Sequence, residues 1–278
     1  MEQGYALKKR KREKALEGVG GKVVKNLSAG PEKEENIGWR ARLGVIVLST
    51  NLTVEYEFCH MVPDGVSFHV SRCLIADSSK DEREKEGVFL GLEEDMLQAG
   101  KQVAMSRPDV ILFACTVGSF LGDESRHSEI SDALTRATGI ESITMTSAIL
   151  EAIQSLDLKR VTLISPYPEG TGIKEKDFLE RSIPGLTVVS MKHLGIVSSY
   201  DKNLIPYPTT YRLAKEMTTH EADGLFLSCA ALRTMEIIEP LEKELGIPVV
   251  TSTQAGLWAC LRRCRVKGLR KFGRLFDL

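Results

Sequence analysis

The sequence predicts an α/β protein made of two similar halves, each with a parallel sheet, related by a pseudo-twofold axis with a cleft between them. Three observations carry this. From Leu43 onward, short near-continuous apolar runs alternate with amphipathic stretches, the pattern of strands covered on both faces by helices. Landmarks also recur in one order. Arg42 with Leu43–Ser49 matches Arg160 with Val161–Ser165, and Asp109 six residues before Cys115 matches Asp223 six residues before Cys229. Gly139-Ile140-x-x-Ile143-Thr144-x-Thr146-x-Ala148 matches Gly246-Ile247-x-x-Val250-Thr251-x-Thr253-x-Ala255. The offsets are 118, 114 and 107 residues, nearly one period and too long for a solenoid repeat. Finally, 278 residues supply enough core for two packed units.

The elements follow in order. Residues 1–42 carry 11 Lys/Arg and 6 Asp/Glu with scattered glycines, so they are expected to be a solvated, disordered tail outside the fold. The run Lys8–Arg12 belongs to that tail. The first half takes strands from the apolar runs Leu43–Leu48, Val66–Val70, Val110–Ala114 and Ser142–Met145. The second takes Val161–Ser165, Thr187–Val189, Leu225–Ser228 and Val249–Ser252. Helical periodicity marks Phe89–Met105, His127–Ala137, Ala148–Leu156, Lys174–Ser182, Tyr207–Thr219 and Met235–Leu245. The basic segment Arg262–Arg274, interleaved with Val266, Leu269 and Phe272, reads as a helix and its trailing end. Asp109 and Asp223 sit at the starts of strands, where they cap rather than react.

Composition removes several classes. A net charge of −1 gives no global case for nucleic acid or an anionic membrane as partner. No run approaches a membrane span, and the basic N-terminus lacks the apolar stretch of a secretory signal. Six cysteines without a CxxC pair make neither a disulfide scaffold nor a zinc ribbon. The five histidines are scattered, so no metal site is expected. Free thiols without an export signal point to the cytosol.

The repeat places the chemistry. Ligands of open α/β sheets bind beyond the carboxyl ends of strands. Cys115 ends the run Val110–Ala114 and Cys229 ends Gly224–Ser228, so the two thiols are expected to meet in the cleft. A lone cysteine after an apolar strand reads as a small buried hydrophobe; twin placement in matching repeats is what singles these two out. Each is followed by small residues and an expected helix start, which would lower a thiol pKa. Cys59, Cys73, Cys260 and Cys264 lack that context and read as structural.

Four segments then stand together: Gly44–Asn51, Ala114-Cys115-Thr116-Val117-Gly118-Ser119-Phe120, Ser165-Pro166-Tyr167 and Ser228-Cys229-Ala230-Ala231-Leu232. Together they resemble the aspartate/glutamate racemase superfamily, and within it the maleate cis–trans isomerase and arylmalonate decarboxylase branch, over about residues 42–266. The resemblance implies that Cys115 is the nucleophile and Cys229 the proton-transfer partner. It implies that Asn51, Tyr167 and Asn203 hold a substrate carboxylate, with Thr116 and Ala230 contributing beside the thiols. Arg233 reads equally as a carboxylate ligand or as a surface ion-pair residue. No cofactor is implied. Two flavodoxin-like halves are expected, residues 43–146 completed by 252–268, and residues 147–251. A homodimer is the expected assembly.

The decarboxylases carry glycine where this chain has Cys115, which favours the two-thiol isomerase. The text around Arg233 and Gln254–Trp258 resembles a branch that includes ectoine-utilisation proteins more than maleate isomerase itself. The expectation is therefore a cofactor-independent isomerase acting on a small dicarboxylate. The alternatives are a two-thiol amino-acid racemase, a related decarboxylase, and a carboxylate-binding protein without turnover.

Overall fold

The computed structural model describes residues 36–79, 81–267 and 271–278. The expected tail lies outside the described residues up to position 35. The first strand, β1 (Ala41–Leu48), begins two residues before the expected core boundary, because Ala41 is already buried and the Arg42 amide is tied down.

The first sheet joins β1 to β2 (Val66–Cys73), β3 (Val110–Phe113) and β4 (Ser142–Thr144) in the order β2-β1-β3-β4, all parallel. The second repeats that order with β5 (Arg160–Ser165), β6 (Thr187–His193), β7 (Gly224–Leu227) and β8 (Val249–Thr251), as β6-β5-β7-β8. All eight expected strands are present, and the architecture is the expected pair of parallel α/β halves. The central strands β1, β3, β5 and β7 are almost wholly buried, which is why they read as apolar runs.

The helices in chain order are α1 (Thr53–Met61), α2 (Glu82–Leu90), α3 (Glu93–Ala104), α4 (Thr116–Phe120), α5 (Arg126–Thr138) and α6 (Met145–Ser155). They continue with α7 (Glu169–Ser182), α8 (Tyr207–Met217), α9 (Ile238–Leu245) and α10 (Ser252–Arg263). Each sequence landmark has a physical cause here. The Asp109 carboxylate accepts the Arg42 N–H at 2.8 Å, and Asp223 accepts the Arg160 N–H at 2.8 Å, so both aspartates fasten strand starts. Gly139 and Gly246 take the left-handed conformation that ends α5 and α9 (φ +72° and +76°). Thr144 and Thr251 each cap the following helix, accepting the N–H of Ser147 and of Gln254. These caps turn the chain across the molecule. Helix α10 leaves the second sheet and packs on β3 of the first, while α6 leaves the first sheet and packs on β8 and α10. A Cβ on Gly256 would stand 2.8 Å from Met145 Sδ and 3.0 Å from Leu112 Cδ2, so glycine lets α10 lie that close.

Three helix expectations need correction, and one helix was not expected. Phe89–Met105 is not continuous: α2 starts at Glu82, where Asp81 accepts the Glu84 N–H, and the chain breaks at Gly91-Leu92 before α3. Met235–Leu245 opens as a 3-10 turn (Met235–Ile237) before α9. The C-terminal helix ends at Arg263 and residues 264–267 are not helical; residues 268–270 of the basic segment lie outside the described residues, and a 3-10 turn at Arg274–Asp277 buries Leu275. Helix α1 was unexpected, because its buried Glu57 interrupts the apolar pattern. No helix among the described residues is long and apolar enough to cross a membrane.

Candidate active site

The two thiols emerge from equivalent places. Ala114 N–H bonds Ile46 O, and Ser228 N–H bonds Ile164 O, each at 2.8 Å, so Cys115 and Cys229 are the first residues past matching strand pairs. They line one cavity, with walls from both halves. A larger cavity lies against Met96, Phe113, Gly118 and Ile130 and reaches neither thiol. Its Arg126 is spent on the carbonyls of Gly118, Phe89 and Leu90. Both thiols line the smaller cavity.

Local geometry separates the thiols. Cys115 has extended backbone and leads directly into α4. Cys229 sits at φ +107°, a conformation L side chains rarely adopt, and a turn rather than a helix follows it. Its N–H is held by Ser252 Oγ at 2.9 Å, and its sulfur accepts the Ala231 N–H at 3.4 Å. The expected helix start after Cys229 is therefore absent. Nor are the resting thiols acidic. Burial pushes Cys115 up to about 12, against the lowering effect of the Gly118 N–H and Lys202. Burial raises Cys229 as well, opposed by Lys202, the Ala231 N–H and the Tyr167 hydroxyl. Desolvation outweighs the five-residue helix that sequence reasoning relied on.

Of the expected substrate ligands, Asn51, Thr116, Tyr167 and Ala230 line the cavity. Asn51 is already engaged: its Oδ1 accepts the N–H groups of Thr53 (3.0 Å) and Val54 (2.9 Å), and its amide donates to Ala230 O (3.0 Å). It fastens the start of α1 to the Cys229 loop. By contrast, the hydroxyls of Thr116, Tyr167 and Ser199 are buried without a well-formed hydrogen bond in the protein, and all three residues line this cavity. The Tyr167 hydroxyl nevertheless stands near enough to the Cys229 sulfur to lower that thiol's pKa.

Two expected ligands are elsewhere. Asn203 does not line the cavity. Its amide donates to the carbonyls of Thr50 (3.1 Å), Ser199 (3.1 Å) and Tyr200 (3.0 Å), while its Oδ1 accepts Leu52 N–H (2.9 Å) and Thr53 Oγ1 (3.2 Å). It is a clasp between the two halves. Arg233 is outside too, paired with Glu236 and stacked on the Tyr56 and Tyr207 rings, 4.8 and 5.0 Å from their centroids. That placement is the surface ion-pair position of the two readings the sequence left open.

Sequence reasoning missed Ser199 and Lys202, both on the cavity wall. They are carried by a segment that the first half grips. The Asp77 carboxylate accepts Ser198 Oγ (3.0 Å), Ser199 N–H (2.6 Å) and Tyr200 N–H (3.0 Å), and pairs with the buried Lys85 ammonium at 2.5 Å. Partial burial opposes its ionisation, but Lys85 and these N–H groups hold Asp77 down at about 2. Deeper still, Glu175 is bonded to the Ser228 hydroxyl one residue before Cys229, and burial pushes its carboxyl up to about 8.

A family model described as arylmalonate decarboxylase matches residues 43–276. The chain belongs to the arylmalonate decarboxylase family. Among its relatives, the maleate isomerase of Nocardia farcinica is 29% identical over 231 residues, covering 80% of this chain and 89% of that protein. The arylmalonate decarboxylase of Bordetella bronchiseptica is 27% identical over 188 residues, 66% of this chain and 78% of that one. Among solved structures, the Nocardia farcinica maleate cis-trans isomerase bound to TRIS superposes with a TM-score of 0.77 at 25% identity, covering 85% of this chain and 97% of its own. A cysteine-to-serine mutant of that isomerase, solved with a covalently bound succinylcysteine intermediate, gives 0.77 at 25% identity, covering 85% and 98%. The expected branch of the superfamily is thus the observed one.

Proposed function

We propose that this family member is a cofactor-independent isomerase that converts a small cis-enedioate such as maleate to its trans isomer through a covalent adduct on Cys115. The observation that carries the reading is one cavity lined by two buried thiols together with Thr116 and Ser199, whose hydroxyls are left without partners. The thiols supply a nucleophile and a proton carrier, the hydroxyls of Thr116 and Ser199 supply donors for carboxylate oxygens, and the Tyr167 hydroxyl faces the Cys229 sulfur.

The chemistry balances without an added reagent. Cys115 first loses its thiol proton to water against the cost of burial; the thiolate then forms an S–C bond to one olefinic carbon, and the π pair moves onto the neighbouring carbon and its carboxylate. The remaining C–C bond is single and rotates. Cys229 gives its proton to the carbanionic carbon, forming a succinyl thioether, and then takes it back. The pair returns to the C–C bond, the S–C bond breaks, and the trans acid leaves with Cys115 restored as thiolate. Asn51 and Ala230, tied to one another, shape the wall beside Cys229. The relative solved with a succinylcysteine intermediate supports this route.

The test is Cys115→Ser and Cys229→Ser, assayed separately with maleate by proton NMR in deuterated water and by intact mass. Cys115→Ser abolishes both turnover and adduct; Cys229→Ser retains the adduct and loses turnover. Near wild-type turnover in either variant refutes the mechanism. Exchange of an α-proton in aspartate or glutamate, without any action on maleate, would favour the two-thiol racemase instead.

The division into residues 43–146 with 252–268, and 147–251, is supported by the packing of α10 on β3. A cytosolic setting is supported by six free cysteines. The homodimer rests on family resemblance, and light scattering at several concentrations tests it.

A further inference from the structure

The charge in the thiol cavity is one residue from where the sequence suggested a ligand. Lys202 and Asn203 are neighbours in the 3-10 turn Asp201–Leu204. The turn sends Asn203 into the seam beside Thr50 and Lys202 into the cavity. Lys202 is 4% exposed, and among the described residues lining this cavity it is the sole charged side chain. Its ammonium lies over the rings of Tyr167 (5.4 Å) and Phe89 (5.9 Å) and donates to Val197 O at 3.2 Å. An ammonium has three donors, so two remain for a ligand.

The nearby anions are engaged elsewhere. Asp77 is held by Lys85 and by the 198–200 segment. Glu82 and Glu86, in the adjoining cavity that shares Phe89, Val117, Tyr167 and Lys202, are bound by Thr171 and Lys174. Burial and the neighbouring Lys85 ammonium oppose the Lys202 charge, and the one carboxylate that favours it, Asp77, is already paired with Lys85, so the cation is costly. That cost is offset when an anionic ligand brings the missing charge.

We propose that Lys202 is a catalytic residue that binds one substrate carboxylate and then stabilises the second negative charge that develops on it. The inference rests on the isomerase reading above. As Cys115 adds, negative charge leaves sulfur and reaches the conjugated carboxylate as an enediolate. Lys202 stays fixed beside it, so the attraction is stronger in the transition state than in the ground state. The substrate class is a small α,β-unsaturated acid whose carboxylate lies at the Phe89–Tyr167 end of the cavity.

Lys202→Met keeps the apolar stem and removes the charge, and Lys202→Arg keeps the charge. With the full chain, two readouts are taken: maleate turnover, and peptide-resolved protection of Cys115 from iodoacetamide by succinate, which has no double bond to trap. Lys202→Met lowers kcat about 100-fold or more, the scale of losing one oxyanion donor, and weakens succinate protection about tenfold or more. Lys202→Arg retains protection within about fivefold of wild type. Lys202→Gln repeats the measurement with a polar neutral side chain if the Met variant does not fold. Wild-type kcat and protection in a folded, neutral variant overturn the role of Lys202 and leave the isomerase standing. A wild-type chain that neither converts an unsaturated acid nor gains protection from succinate overturns the isomerase reading, and this inference with it.

Discussion

Replacing Asn203 with alanine separates two roles for the same side chain. Family resemblance makes it a substrate ligand, whereas the structure makes it a clasp. Its partly buried bonds reach Thr50 O, Ser199 O and Thr53 Oγ1, and the bonds to Leu52 N–H and Tyr200 O are exposed. Counting about 1 kcal/mol net for each partly buried bond, and little for the exposed pair, gives a loss of about 2–3 kcal/mol. In a folded unit of this size that lowers Tm by roughly 4–12 °C. Thermal melting in the absence of ligand measures it. Because Asn203 does not line the cavity, the KM for maleate in the folded fraction stays within about threefold of wild type, a change worth less than 1 kcal/mol. A variant with unchanged Tm and a kcat/KM reduced about 100-fold refutes the clasp and restores Asn203 as a ligand.

Two further outcomes are expected. A Cβ on Gly118 would stand 2.9 Å from Cys115 Sγ, so Gly118→Ala displaces the proposed nucleophile and lowers kcat about tenfold or more, with a smaller effect on Tm; wild-type kcat would show that the thiol position is not critical. Glu175, held near 8 rather than its ordinary 4.5, keeps its proton in the native state while the unfolded chain loses it. Its contribution is therefore full below pH 4.5 and declines as pH rises to about 8. Glu175→Gln flattens that decline by a few kcal/mol in denaturant titrations across this range, and an unchanged pH slope would refute the buried, protonated carboxyl.

The sheets were legible because strands buried on both faces must be continuously apolar, and all eight such runs became strands. Helix boundaries were less legible where a polar side chain turned inward. Glu57 of α1 accepts the N–H groups of Thr234 and Met235 from the opposite half, and no local pattern reveals so distant a partner. The thiols were legible because backbone constraints repeat: aspartates at strand starts, left-handed glycines, and threonine caps. Lys202 was not legible. In the polar text Ser198-Ser199-Tyr200-Asp201-Lys202-Asn203 a lysine reads as solvated, and only the phase of a single 3-10 turn determines which of two neighbours enters the cavity.

Thiol acidity failed for a reason that also bears on how the site works. Equivalent strand ends do not make equivalent thiols. Cys115 leads α4, and among the groups that favour its thiolate are one N–H, from Gly118, and the charge of Lys202. Cys229 is bent to φ +107°, its own N–H is taken by Ser252, and its sulfur faces both the Ala231 N–H and the Tyr167 hydroxyl. A sulfur with two donors facing it is suited to hold charge while a proton is away. A sulfur that ionises against a large desolvation cost gains most by passing its charge to carbon, and Lys202 stands ready to receive that charge on the substrate carboxylate. On the mechanism proposed above, the division of labour between nucleophile and proton carrier would follow from backbone conformation at two otherwise matching positions.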